Sequence, residues 1–192
     1  MSEHTYSTRQ NWQPRLARET DIAALEVLIP HSVRKLQAPY YSERQMEAAL
    51  GTIFAVDRQL IRDGTYFIVE HEAQIVGCGG WSKRLAVCGG DHDRPEPGPE
   101  IDPRHDPARI RAFFVHPDWA RQGIGRSILN ASEQASIAAG FSKAELVATL
   151  AGEPLYAACG YSVVERYELP TPEGIMLPVV RMTRNLHPNL NL

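Results

Sequence analysis

The sequence has few cysteines and no strong excess of either charge. Its 192 residues include three cysteines, at positions 78, 88 and 159, and no two of them form a CxxC pair. This pattern disfavours a disulfide framework or a structural zinc site, so we expect a cytoplasmic protein without a bound metal. Twenty Lys and Arg against 23 Asp and Glu give a formal charge of -3. That balance lacks the basic excess typical of nucleic-acid binding.

Long hydrophobic runs are also absent. The apolar stretches fall well below the roughly 20 residues that a membrane span needs, so we expect no membrane association. The polar N-terminal residues, MSEHTYSTRQNWQPR, lack the apolar stretch of a signal peptide. We expect residues 1–11 to be an irregular lead-in and 188–192 a short tail, with one domain over 12–187.

Proline and glycine, by contrast, are abundant, with 14 of each. Residues 83–108 hold five of the prolines, a Gly-Gly pair and six acidic residues, and they show no apolar periodicity. We interpret this stretch as one long loop inside the domain, because the patterns on both sides of it read as parts of one sheet. Two more prolines, at 172 and 178, lie in a second predicted loop at 171–178, directly after Pro170.

Helical spacing of apolar residues predicts the first elements. A helix should begin near Ile22 and kink or end at Pro30, with a second segment continuing through Leu36. A further helix is predicted from Ser42 to about Ala55. Later helices are predicted at 123–139 and 154–159.

Strand-like runs lie between and after these helices. They are predicted at 66–70, 73–81, 110–115, 143–149, 162–167 and 179–182. Glycines in the second run, at positions 77, 79 and 80, indicate a bulge or a close backbone approach. The order of elements predicts a single-domain α/β (α+β) fold with a mixed, mainly antiparallel central sheet of six to seven strands flanked by helices.

A glycine-rich turn between the run ending at Val115 and the following helix carries the clearest chemical signal. Gly123 and Gly125 let the backbone approach a ligand closely. The first N–H groups of a helix lack internal partners and lie at its positive end, which suits a diphosphate. Arg121 and Arg126 flank the turn and can add charge-assisted contacts.

Two familiar phosphate-binding patterns do not fit this turn. A nucleotide-hydrolase loop needs Gly-Lys-Ser/Thr, whereas Gly125 is followed by Arg126 and Ser127. A dinucleotide fold needs a third glycine where Ile128 stands. On the glycines alone, a simple helix-start turn therefore stays open.

The residues on both sides of the turn are more specific than the glycines alone. The run IRAFFVHPDWARQGIGR, residues 110–126, closely resembles the acetyl-CoA-binding motif of the GCN5-related N-acetyltransferases, the GNAT superfamily. Downstream, PLYAACGY at 154–161 resembles the family's second signature, a short helix with a tyrosine before a Gly-aromatic pair. Spacing and element order agree from about residue 14 to 186, nearly the whole chain.

The resemblance implies acetyl-CoA as co-substrate, held in the gap where the central strand splays from the strand that begins near Lys143. It implies that the strand carrying Phe113, Phe114 and Val115 offers backbone groups to the pantetheine arm. Tyr156 matches the tyrosine that protonates the departing thiolate. The pyrophosphate would be held by the backbone amides of Arg121, Gln122, Gly123, Ile124, Gly125 and Arg126.

The sequence also departs from the family pattern. Ala120 stands where the motif usually has Arg or Gln, and Thr149 where many members have Asn. The catalytic Glu that some members carry on the central strand is missing, and that face shows Arg109 and Arg111 instead. With Arg104, we read these arginines first as exposed strand-edge charges.

The group that takes the proton of the acceptor amine is not identified. The candidates lie in the long loop: Asp91, His92, Asp93, Asp102, His105 and Asp106. The acceptor pocket is expected from the early helices, about residues 22–55, the long loop and the 171–178 loop. We expect Trp119 to pack against the glycine turn, Trp81 to lie in the core or at its rim, and Cys159 to be a small apolar helix residue.

These observations favour an acetyl-CoA-dependent N-acetyltransferase that acts on a primary amine of a small molecule, with a peptide or protein amine less favoured. A non-catalytic acyl-CoA-binding sensor or regulatory module is the alternative, kept open by the missing Glu and Asn. A nucleotide-phosphate binder is the third hypothesis. Pairing of two copies through sheet edges stays open as well.

Overall fold

One seven-stranded sheet organises the described part of the chain, which comprises residues 11–85 and 98–187 of a computed structural model. In chain order its strands are β1 (Arg15–Leu16), β2 (Tyr66–His71), β3 (Gln74–Ser82), β4 (Ala108–Val115), β5 (Lys143–Thr149), β6 (Ser162–Pro170) and β7 (Met176–Asn185). They lie side by side as β1-β2-β3-β4-β5-β7-β6, and every neighbouring pair is antiparallel except β4 and β5. The predicted mixed, mainly antiparallel sheet of six to seven strands is confirmed.

Within residues 11–85 and 98–187, five α-helices cover the two faces of this sheet. They are α1 (Ile22–Leu36), α2 (Glu43–Ala49), α3 (Arg58–Arg62), α4 (Ile124–Ala138) and α5 (Glu153–Ala158). Apolar residues of α1, α2 and α3 share one core with one side of the sheet. Those of α4 and α5 belong to two further clusters on the other side. Alternation along the strands supplies both cores, as Ile75 and Val76 of β3 show by joining opposite clusters.

The first helices differ from the prediction in their bounds. Pro30 lies inside α1, which continues to Leu36 because Leu28, Ile29 and Val33 are buried on one face. Proline removes one hydrogen bond of the ladder, and the buried apolar face offsets that loss. The next helix ends at Ala49, not near Ala55.

The early end of α2 has a local cause. Leu50 is already extended, with ψ 141, and Gly51 is left-handed, with φ 78. The chain turns there and Phe54 N–H donates to Ala49 C=O at 2.9 Å. Helix α3 was not predicted, since five residues are too few for an apolar period to be visible.

The last two strands are longer than predicted, and the loop between them is shorter. β6 and β7 pair from Ser162 opposite Thr183 to Pro170 opposite Met176, so the connection spans only 171–175. Pro178 is tolerated within β7 and its carbonyl accepts from the Tyr41 hydroxyl at 2.7 Å. That bond ties the α1–α2 connection to the sheet.

The central strands β4 and β5 separate soon after they meet. Their parallel ladder comprises three rungs, from Ala108 opposite Ala144 to Ile110 opposite Leu146. Beyond them β4 bulges: its register against β3 shifts between Cys78 and Gly80, and Ala112 takes φ 61. A Cβ at Gly79 would lie 2.5 Å from the Phe113 ring, so any larger residue at position 79 would displace that ring. Of the two alternatives predicted for the glycines of β3, the close approach is confirmed, whereas the bulge opposite Gly79 lies in β4.

The predicted long loop is anchored at its base. Arg84 and Glu100 form an antiparallel bridge, and the Arg84 guanidinium lies 2.7 Å from the Asp63 carboxylate. The middle of the loop (86–97), most of the predicted lead-in (1–10) and the predicted tail (188–192) lie outside the described residues. No helix within 11–85 or 98–187 combines the length and apolar character needed to cross a membrane.

Candidate functional site

A cleft of about 460 Å³ opens where β4 and β5 diverge. The outer halves of both strands line it, from Ile110 to Val115 on β4 and from Val147 to Thr149 on β5. Side chains from both faces of the sheet complete its walls. On the α1 side these include Ser32, Leu36, Gln37, Ile53, Phe54, Asp57, Leu169, Leu177 and Val179. On the α4 side they include Arg121, Gly123, Ile124, Gly125, Arg126, Leu155 and Tyr156.

The cleft brings together nine of the ten residues predicted for the site. Phe113, Phe114 and Val115 lie along β4, and all the turn residues except Gln122 line the α4 side, together with Tyr156. This placement shows that they share one site, while their individual contacts to a ligand stay predictions.

The glycine turn presents the start of α4 to the cleft. Arg121 and Gly123 both have left-handed backbones, with φ 66 and 91. Gly123 is the residue before the helix, and its carbonyl accepts from Ser127 N–H at 3.0 Å. By helix geometry the N–H groups of residues 124–126 have no acceptor within the helix. They lie at the positive end of a 15-residue helix, an arrangement that suits an anion.

Trp12 stabilises this turn on the side away from the cleft. Its indole N–H donates to the Gln122 carbonyl at 2.8 Å, and its own carbonyl accepts from the Ser127 hydroxyl at 2.9 Å. Its ring packs edge-on against Trp119 at 5.8 Å. Gln122 therefore faces Trp12 with its carbonyl, which explains why it is missing from the cleft wall. Trp119 packs behind the turn, as expected.

The two phenylalanines of β4 point to opposite faces of the sheet. The Phe113 ring lies 6.0 Å from the Tyr156 ring, on the α5 side. The Phe114 ring lies 6.2 Å from Phe54, on the α1 side. The cleft thus passes through the sheet, since β4 contributes walls to both of its sides.

Tyr156 is buried beside this passage. It is 7% exposed and lies on α5. Burial, with a smaller contribution from Cys159, raises the pKa of its phenol. The phenol is therefore protonated at neutral pH and is available to donate a hydrogen bond. Thr149, where many family members have Asn, accepts from Gly152 N–H at 3.1 Å and stabilises the turn that leads into α5.

Arg109 and Arg111 are not exposed strand-edge charges, contrary to our first reading. Arg109 is 9% exposed and forms an ion pair with Glu145, its neighbour in the β4–β5 ladder. Arg111 lies 2.6 Å from Asp57, and these side chains are 8% and 4% exposed. Both guanidinium groups can be buried because each forms an ion pair with a carboxylate from another part of the chain. Arg104 is exposed and lies 2.7 Å from Asp102, as expected.

None of the described candidates for the proton acceptor lines the cleft. Asp102 and its partner Arg104 are on the loop, where the arginine lowers the pKa of the carboxyl to about 2. Asp106 accepts from Asp102 N–H at 3.0 Å, and His105 also lies outside the cleft wall. The candidates Asp91, His92 and Asp93 fall outside the described residues.

The described part of the long loop, 83–85 and 98–107, contributes no cleft wall, so its predicted share in the acceptor pocket is wrong for those residues. Trp81 packs in the core against Phe141, with ring centroids 5.8 Å apart, as expected. Cys159 is half-buried and lies outside the wall. The described residues hold no group of three or more His, Cys, Asp or Glu side chains placed for a metal ion.

Sequence reasoning missed the polar residues on the α1 side. Ser32, Gln37 and Asp57 line the cleft there, with Arg111 beside Asp57. One signal pointed to Asp57: an Asp before Arg58-Gln59-Leu60 is typical of a helix N-cap, and its carboxylate accepts from Leu60 N–H at 3.2 Å. Gln37 carried no signal, because a glutamine after the last turn of a helix is ordinary.

Residues 62–163, slightly more than half of the chain, match the family described as Acetyltransferase (GNAT) domain. The chain therefore belongs to the GNAT acetyltransferase family. Comparison with curated proteins gives no significant match.

Solved structures agree on the fold. A GCN5-related N-acetyltransferase from Rhodopseudomonas palustris is 21% identical, with a TM-score of 0.70 over 94% of this chain and 99% of that one. The PaiA N-acetyltransferase from Thermoplasma acidophilum, in complex with coenzyme A, is 13% identical, with a TM-score of 0.61 over 92% and 99%. yncA from Salmonella typhimurium, solved with acetyl-CoA, is 14% identical, with a TM-score of 0.60 over 95% and 98%.

Proposed function

We propose that the protein is an acetyl-CoA-dependent N-acetyltransferase that moves the acetyl group directly to a primary amine of a small molecule. One observation carries the proposal: the cleft runs through the sheet at the β4–β5 divergence, with the start of α4 and Tyr156 on one side and a mainly apolar wall on the other. Two substrates can therefore meet from opposite faces. Family membership and the CoA-bound relatives support this reading.

The α4 side is suited to the coenzyme. The N–H groups that begin α4 would hold the pyrophosphate, and the exposed side chains of Arg121 and Arg126 lie at the same mouth. Beyond the last rung of the β4–β5 ladder, the backbone of residues 113–115 has no strand partner on the β5 side. Val115 N–H already donates to the Ser32 hydroxyl at 3.3 Å, and the backbone groups left without a partner would pair with the amides of the pantetheine arm. In this scheme Gln122 positions the turn through its bond to Trp12.

The chemistry follows from the thioester. The amine nitrogen attacks the acetyl carbonyl, the C–N bond forms, the C–S bond breaks and the thiolate departs. The buried Tyr156 phenol donates to the sulfur as charge develops there, and the proton lost by the nitrogen ends on the thiol. Because the phenol pKa lies above its usual value of about 10 and a thiol lies near about 8.5, hydrogen bonding is a larger part of its role than full transfer.

The amine must be neutral when it attacks. For an unperturbed lysine-type amine this costs roughly 4 to 5 kcal/mol at pH 7. Apolar surroundings disfavour the charged form, so the α1 side lowers the pKa of a bound amine and reduces that cost. Its walls include Leu36, Phe54 and Leu177.

Release of free CoA from acetyl-CoA, measured across a panel of primary amines, tests the proposal. We expect release that depends on the amine and matches the acetylated product, identified by mass, one for one. Binding of acetyl-CoA without acceptor-dependent release would favour the sensor module instead. Competition by ATP rather than by CoA would favour a nucleotide-phosphate binder.

A further inference from the structure

The side-chain oxygen of Gln37 is a buried acceptor for which the described residues supply no donor. Gln37 follows the last residue of α1, is 7% exposed and lines the cleft on the α1 side. Its backbone is already satisfied: its N–H donates to Val33 at 3.1 Å, and its carbonyl accepts from Tyr40 and Tyr41 at 2.9 and 3.1 Å. A buried amide oxygen without a donor is costly, and a ligand in the cleft that Gln37 lines is a source of the missing donor.

Other polar side chains on this side are already engaged. The Ser32 hydroxyl accepts from Val115 N–H at 3.3 Å. The Asp57 carboxylate lies 2.6 Å from the Arg111 guanidinium, and both groups are more than nine-tenths buried. Gln37 is the cleft-lining residue, within the described chain, whose buried side-chain oxygen stays without a partner.

The rest of this wall is apolar and carries no net charge. Leu36, Ile53, Phe54, Leu169 and Leu177 form most of it. The Asp57–Arg111 pair sums to zero, so a carboxylate on the acceptor would compete with Asp57 for its cation. A second ammonium group would compete with Arg111 in the same way. Burying such an unpaired charge is strongly unfavourable.

We propose that the α1 side of the cleft binds an apolar primary amine whose N–H donates to the side-chain oxygen of Gln37, and that it rejects amines bearing a carboxylate or a second ammonium group. The inference rests on the proposed function, because the amine must face the thioester. A neutral amide oxygen can hold a neutral amine by its N–H and leave the nitrogen lone pair directed elsewhere. The bond changes are those given above for acetyl transfer.

The test compares the wild type with Gln37→Leu on three amines: 2-phenylethylamine, phenylalanine and 1,4-diaminobutane. For the wild type we expect kcat/KM to be at least about tenfold higher with 2-phenylethylamine than with the other two. Gln37→Leu should raise KM for 2-phenylethylamine about tenfold and leave the Kd for acetyl-CoA within about twofold. Gln134→Leu, on an exposed position of α4, is the matched control and should change neither constant.

Gln37→Met, which keeps the side-chain length, is measured alongside in case the leucine variant folds poorly. Removing a buried polar group that lacks a partner should leave the melting temperature of either variant unchanged or raised. An unchanged KM in both variants would overturn the inference, as would equal or better turnover of phenylalanine or 1,4-diaminobutane.

Calorimetry on protein saturated with CoA separates this inference from the proposed function. Binding of 2-phenylethylamine that is lost in Gln37→Leu supports the pocket even if no acetyl transfer is found, and only the transferase proposal then fails. Acetyl transfer confined to charged or acidic amines, with no binding of 2-phenylethylamine, leaves the transferase standing and overturns the inference.

Discussion

The indole N–H of Trp12 donates to the carbonyl oxygen of Gln122 at 2.8 Å, across 110 positions of the sequence. This bond joins the start of the described chain to the turn that begins α4. Because Gln122 lies between the left-handed residues Arg121 and Gly123, the bond fixes the middle of a strained turn. Trp12 is therefore a positioning residue for the proposed anion site.

Trp12→Phe should weaken coenzyme binding. The variant loses one hydrogen bond of about 1 kcal/mol and loosens the turn, so we expect the Kd for CoA to rise about fivefold by calorimetry. Trp81→Phe is the matched control, because Trp81 is also buried and its indole N–H has no partner among the described residues. Equal losses of CoA affinity in the two variants would contradict the positioning role.

Tyr156→Phe should slow turnover and spare coenzyme binding. The phenol that donates to the sulfur is lost, and we expect kcat to fall about 100-fold with the Kd for acetyl-CoA nearly unchanged. Tyr161→Phe controls for packing, since its ring lies 5.9 Å from Tyr156 but outside the cleft wall. Unchanged kcat in Tyr156→Phe would rule out the acid role.

We expect kcat/KM to rise with pH as the neutral fraction of the amine grows. Burial raises the pKa of Tyr156, so its protonated, donating form persists beyond about pH 10, the usual value for a phenol. Rates measured from about pH 6 to about pH 10 should therefore show no descending limb. A descending limb in that range that disappears in Tyr156→Phe would show that the phenol loses its proton earlier.

Gly123→Ala should reduce both stability and coenzyme affinity. Its φ of 91 is strained for a residue with a side chain, at a cost of about 1 to 2 kcal/mol. Gly64→Ala is the control: its φ is 67, no atom lies within 4 Å of an added Cβ, and it is outside the cleft wall. Both variants should unfold at lower denaturant concentration, and only Gly123→Ala should raise the Kd for CoA.

Asp57→Asn should destabilise the fold. The substitution keeps an N-cap acceptor for Leu60 N–H but removes the carboxylate 2.6 Å from buried Arg111, at a cost of about 3 kcal/mol by denaturant unfolding. The double variant Asp57→Leu with Arg111→Met should recover part of this loss. Glu47→Gln, at an exposed pair with Arg34, is the control and should leave the unfolding midpoint almost unchanged. An equally small change of the unfolding midpoint in Asp57→Asn would contradict a stabilising role for the buried Asp57–Arg111 pair.

The proposed coenzyme side of the cleft was predictable because its signals are local. The strand, the turn with Gly123 and Gly125, and the helix that follows lie within one run of 17 residues, 110–126. Tyr156 sits in a second short run whose glycine, Gly160, has φ 87 and ends α5. Such features are encoded by neighbours in sequence, so patterns reveal them.

The proposed acceptor side of the cleft was not predictable at the level of residues. Gln37, Asp57 and Arg111 come from three separate elements, and only the fold brings them to one cleft. A charged residue on a strand is usually expected to be exposed. The sequence does not indicate that Arg111 is buried in an ion pair with Asp57. The general region was indicated nonetheless, since residues 22–55 were expected to contribute and Gln37 and Phe54 do.

The three rungs between β4 and β5 have a mechanical consequence. They join two blocks of the sheet, β1-β2-β3-β4 and β5-β7-β6, at one end only, so the two blocks diverge at the other end. Tyr41 bridges the open end of the second block, accepting from Leu150 N–H at 2.8 Å and donating to Pro178 at 2.7 Å. A pantetheine arm between the two blocks would supply hydrogen bonds that β4 and β5 do not make to each other there. Coenzyme loading and the rigidity of the whole sheet would then rise together.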